Sequence, residues 1–72
     1  MAESETRLDV ERILLKLPLV QRTALSLHYL QDMPVEKIAA VLGVPQSTVK
    51  TRLRRGRAAL GVYLKEDYNE NI

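Results

Sequence analysis

Residues 35–54 read VEKIAAVLGVPQSTVKTRLR, and this stretch decides the fold. Val35, Ile38, Ala39 and Leu42 fall at i, i+3, i+4, i+7, the spacing that lines one face of an α-helix. Gly43 stops the stripe, because glycine enters the left-handed region without a Cβ clash and turns the chain sharply. Pro45 then opens a second helix, and Val49 and Leu53 renew the apolar face. Two helices joined by a short glycine-containing turn, the second of them basic, form the pattern of a helix-turn-helix. Ala39 is small enough to let the two helices approach, Val49 anchors the second on the first, and Ile38, Leu42, Val44 and Leu53 occupy the other inward positions.

Outward from this core, punctuation by three prolines and three glycines divides the rest of the chain into further helices. Thr6 and Asp9 match a reciprocal cap, and Val10, Ile13, Leu14 and Leu17 follow at helical spacing, which predicts a first helix over 6–17. Pro18 ends it and opens a second, in which Val20, Ala24, Leu25, Leu27 and Leu30 cover so wide an arc that this helix is expected to be central and the most buried. Asp32, Met33 and Pro34 break it before the helix-turn-helix. The last helix is expected to run to about Lys65, with Leu53, Gly56, Leu60 and Leu64 on its apolar side and Ser47, Thr51, Arg54 and Arg55 pointing away. The chain thus reads as a single all-α domain over 1–72, a small four-helix fold with a long C-terminal recognition helix, fraying at about 1–5 and 67–72.

Composition removes several function classes. With 72 residues and no cysteine, the chain has one small core, no disulfide scaffold and no thiolate chemistry. His28 is the only histidine and has no companions for a metal site or a catalytic triad, and neither a GxSxG nor a P-loop pattern occurs. A binding protein is expected, with no enzyme activity, cofactor or metal. No apolar run approaches the roughly 18 residues needed to span a bilayer, so a cytoplasmic, membrane-free protein is expected. Tyr29, Tyr63 and Tyr68 are too scattered to stack single-stranded bases.

The net charge of +2 is modest, but its distribution is not even. Residues 45–65 hold Lys50, Arg52, Arg54, Arg55, Arg57 and Lys65 without one acid, a concentration of positive potential suited to a polyanion. Double-stranded DNA is the expected partner, with Gln46, Ser47, Thr48, Lys50, Thr51, Arg52, Arg54, Arg55 and Arg57 as candidate contacts. The major groove admits a helix and offers a distinct donor and acceptor pattern at each base pair. Arg52 and Arg57 flank the apolar stripe and suit phosphate contact or internal pairing. Ser47 and Thr48 equally suit capping of free N–H groups. Arg22 suits a phosphate or an ion pair with Glu36.

The run LPLVQRTALSLHYLQDMPVEKIAAVLGVPQSTVKTRLRRGRAAL, residues 17–60, resembles the C-terminal region-four domain of extracytoplasmic-function sigma factors, the promoter-recognising subunits of bacterial RNA polymerase. The residues that carry it are Leu17-Pro18 with Arg22, Ile38-Ala39, Leu42-Gly43, Thr48-Val49-Lys50 and Arg55 with Arg57. The resemblance implies recognition of the minus-thirty-five promoter element, attachment to the flap of the polymerase β subunit, and capture by an anti-sigma factor. It also places Lys50, Thr51 and Arg55 at the DNA surface. The chain departs from the family in having Pro34 and Lys37 where a Ser-x-x-Glu capping box is common, and Gly56 where alanine is common. Such sigma factors also carry a promoter-melting domain, for which 72 residues leave no room.

Two other readings fit parts of the pattern. A LuxR-type response-regulator output domain shares the Ile-Ala, Gly and Thr-Val-Lys series, but lacks the Leu-Pro entry with Arg22 and the Arg55, Arg57 exit. A sigma-like decoy would bind an anti-sigma factor without touching DNA, and would have no need of the basic front.

Overall fold

The computed structural model describes residues 10–70, and side chains as far as Leu64. Among the described residues helix α1 covers 10–14, α2 is Leu19–Leu25, α3 Val35–Leu42 and α4 Gln46–Glu70, and α2 runs on into a π-helical turn at Ser26–Leu30. The described residues are all-α with four helices, as expected. Among the described residues no helix is long and apolar enough to cross a membrane.

Proline starts three of these helices in one way. Pro18 and Pro34 sit one position before the first helical residue, with ψ of 146° and 157°, so the chain enters extended and then coils. Each proline carbonyl takes the first backbone bonds: Pro18 from Gln21 and Arg22 at 3.1 and 3.0 Å, Pro34 from Lys37 and Ile38 at 3.0 and 3.1 Å, Pro45 from Thr48 and Val49 at 3.1 and 3.3 Å. The preset φ and the accepting carbonyl do at Pro34 what the absent capping box would otherwise do; no side-chain cap bond is made there.

The first helix ends earlier than its periodicity predicts. It ends at residue 14, and Lys16 and Leu17 make three-residue bonds back to Ile13 and Leu14 at 2.9 and 3.1 Å. The cause is Pro18, which disfavours helical geometry in the residue before it and forces the chain to tighten and leave. The cap expected at Thr6 and Asp9, the helix start at 6 and the frayed end at 1–5 all lie outside the described residues. At the other end α4 passes Lys65 and continues to Glu70, so the segment 67–70, expected to fray, is helical. No proline or glycine interrupts residues 62–70, and lysine and glutamate are good helix formers.

The core is built by Leu14, Leu17, Ala24, Leu25, Ile38, Ala39, Val49 and Leu53. Ile38 and Val49 are fully buried, which holds α3 against α4 as the helix-turn-helix spacing predicts. Helix α2 is less enclosed than expected: only Ala24 and Leu25 are buried, while Val20 and Leu30 are 47% and 37% exposed. Its wide apolar arc has two sources, a change of helical phase at the π turn and an apolar edge facing solvent beside α4. In the π turn the Gln31 N–H reaches back five residues to the Ser26 carbonyl at 3.2 Å, and the Met33 N–H reaches Leu27 at 3.0 Å. Asp32 then takes φ of 53°, the only non-glycine positive φ among the described residues.

Glycine has two distinct jobs. Gly43 has φ 68° and ψ 36°, the left-handed turn between α3 and α4, and both its own N–H and that of Val44 return to the Ala39 carbonyl. Gly56 makes a close approach: a Cβ there would lie 2.7 Å from a Leu25 methyl and 3.1 Å from its Cγ. The residue that departs from the family's alanine is the one that lets α2 and α4 touch.

Candidate nucleic-acid interface

The 25 residues of α4 rise about 37 Å at 1.5 Å each, so this one helix spans most of the molecule's 41 Å length. Its buried side is Val49, Leu53 and Gly56, with Leu60 half-buried against the core. At about 100° per residue, Ser47, Thr51, Arg54 and Arg55 centre on the opposite face, Gln46, Lys50 and Arg57 lie toward one edge, and Thr48 and Arg52 toward the other. Gln46, Ser47, Lys50, Arg54, Arg55 and Arg57 are exposed, whereas Thr48, Thr51 and Arg52 are half-buried. Among the described residues none of Lys50, Arg52, Arg54 and Arg55 has an ion-pair partner, so their charge is available to an incoming anion.

The structure sorts these candidates into separate surroundings. Ser47, Thr48, Thr51, Arg52 and Arg55 line one groove of about 300 Å³, whose opposite wall is Val20 and Gln21 from the start of α2. Gln46, Lys50 and Arg54 do not line it. Arg57 is committed elsewhere: its Nη1 donates to the Tyr29 hydroxyl at 2.9 Å, the internal pairing that was one of its two expected roles. Arg22 is half-buried, and no ion pair joins it to Glu36 among the described residues. His28 is structural, with Nδ1 donating to the Met33 carbonyl at 2.9 Å across the end of the π turn.

Val20 and Gln21 were not legible as part of this surface. Their place beside α4 depends on how α2 packs across the helix-turn-helix, which no local pattern encodes. A second, apolar groove of about 440 Å³ lies farther along α4, between Leu14, Tyr29 and Leu30 on one side and Leu60 and Leu64 on the other.

The sequence profile of the family described as Sigma-70, region 4 matches residues 7–60 of this helical arrangement. The chain belongs to that family. It is 39% identical over 57 residues to the ECF RNA polymerase sigma factor SigW of Bacillus subtilis, covering 79% of this chain and 30% of that protein. To the ECF RNA polymerase sigma factor SigM of Mycobacterium tuberculosis it is 41% identical over 59 residues, or 82% of this chain and 30% of that protein. This region 4 chain thus spans less than a third of the length of the curated relatives it matches, and the match contains the whole groove, Val20 and Gln21 included.

Proposed function

We propose that this domain recognises the minus-thirty-five element of a promoter by laying α4 in the major groove, as the DNA-reading part of a sigma factor and not as an enzyme. The observation that carries this reading is the donor-rich outer face of α4 over residues 46–57, a stretch without an acidic residue, fixed against α3 by the Gly43 turn in a chain of the sigma-70 region 4 family. In this reading Lys50, Thr51, Arg54 and Arg55 address base edges, with arginine suited to guanine and a threonine methyl to thymine. Arg52, on the flank, meets phosphates. The names of the relatives support RNA polymerase as the partner in this reading, and we assign the apolar groove at Tyr29, Leu30 and Leu60 to protein attachment, whether to the β-subunit flap or to an anti-sigma factor.

The test compares Arg55→Ala with Arg57→Ala on a duplex selected from a randomised pool and on singly substituted versions of it, at fixed salt and with folding checked. Arg55→Ala is expected to cost about 1–3 kcal/mol on the selected duplex and to relax preference at one base pair. Arg57→Ala should lower thermal stability through loss of the Tyr29 bond and leave base preference intact. Uniform weakening by Arg55→Ala together with altered preference in Arg57→Ala would reverse the assignment of the helix faces.

A further inference from the structure

The groove beside the DNA-reading face has a second wall that the helix-turn-helix does not supply. Ser47, Thr48 and Thr51 offer hydroxyls, Arg52 and Arg55 guanidinium groups, and Gln21 from α2 a side-chain amide, and none of the lining residues is acidic. Its volume of about 300 Å³ equals roughly ten waters at about 30 Å³ each, ample for a phosphodiester with its sugar. Val20 adds an apolar surface 47% exposed to solvent.

Geometry decides which part of DNA such a wall meets. A helix with its side chains is about 10–12 Å across, and the major groove is about 12 Å wide, so a helix seated there fills it and leaves no space for a second. Side chains standing on a neighbouring helix at the flank of α4 therefore face the phosphate ridge that borders the groove. Phosphate oxygens take many of the hydrogen bonds in protein–DNA complexes, glutamine being one of the donors.

Resting on the proposed DNA-binding reading, we infer that Gln21 is a positioning residue for DNA: its amide donates to one backbone phosphate beside the recognition helix, and Val20 packs on the adjoining deoxyribose. The contact sets the register of α4 in the groove and carries no base preference of its own.

The experiment measures binding of the 72-residue chain to the selected duplex and to a scrambled one by fluorescence anisotropy, for wild type, Gln21→Glu and Arg55→Ala. Gln21→Glu keeps the shape of the side chain, replaces a donor by a negative acceptor, and should weaken both duplexes by about the same factor, roughly tenfold. A set of duplexes, each with one methylphosphonate, then provides a readout that a folding defect would not move. At one phosphate on the flank of the site, neutralisation should weaken the wild type but strengthen Gln21→Glu, because it removes an attraction in one case and a repulsion in the other. Wild-type affinity in Gln21→Glu, or methylphosphonate effects of the same sign and size in both proteins, overturns the inference while Arg55→Ala still tests the DNA reading. If the wild type binds neither duplex, both readings fall.

Discussion

Two residues in the same backbone region pose opposite problems. Gly43 adopts φ 68° where a Cβ would meet nothing within 4 Å, so any penalty for substitution there is conformational and not steric. Gly43→Val should therefore cost about 2 kcal/mol or more, since the left-handed region costs ordinary residues about 1–2 kcal/mol and β-branching adds to it. Gly43→Asn, which tolerates that region, should cost much less. Asp32, of the same tolerant class as asparagine, sits at φ 53°, and Asp32→Gly should change stability by less than about 1 kcal/mol, because the relief of the left-handed backbone is offset by glycine's larger loss of conformational freedom. Thermal melts decide both, because 1 kcal/mol moves the midpoint of a domain this size by about 4–8 °C. An unchanged midpoint in Gly43→Val would mean that the turn does not constrain α3 against α4.

Along α4 the two remaining glycines differ in kind. Helix propensity favours alanine over glycine by about 1 kcal/mol, and Gly61→Ala should gain about that, since its Cβ would point into open space. Gly56→Ala meets the buried Leu25 instead and should lose stability, because overpacking costs about 1–3 kcal/mol and outweighs the propensity gain. Chemical denaturation of the two variants would show opposite shifts in midpoint, and a gain in both would mean that Leu25 repacks freely. What the sequence made legible at this scale follows from local chemistry: Gly43, Pro45 and the apolar spacing of α3 and α4 suffice to place the helix-turn-helix. The early end of the first helix and the π turn were not legible, because Leu17 keeps helical spacing in a tight turn and Leu27 and Leu30 fit a wide arc in either helix type. The outer face of α4 was readable from its own residues, whereas the wall formed by Val20 and Gln21 exists only once α2 crosses it.

For the whole molecule, charge is concentrated on one element and the net charge is only +2, so DNA binding by this domain should depend on local phosphate neutralisation. With about four phosphates engaged, the logarithm of the association constant should fall against the logarithm of salt concentration with a slope near −3.6. A flat salt titration would instead indicate that the basic face meets no polyanion. The π turn at Ser26–Leu30 bears on the same molecule in another way, as a place where chain length can vary. A π turn holds one residue more than an α turn, so removal of Ser26 converts wide bonds to ordinary ones and leaves α2 and α3 facing as before. Removal of Ala40 from α3 has no such outlet and rotates Val41 and Leu42 by about 100° relative to the residues before them. The shorter chain without Ser26 should still melt cooperatively and the one without Ala40 should not, which makes this turn the natural position for a one-residue gap when chains of unequal length are laid side by side.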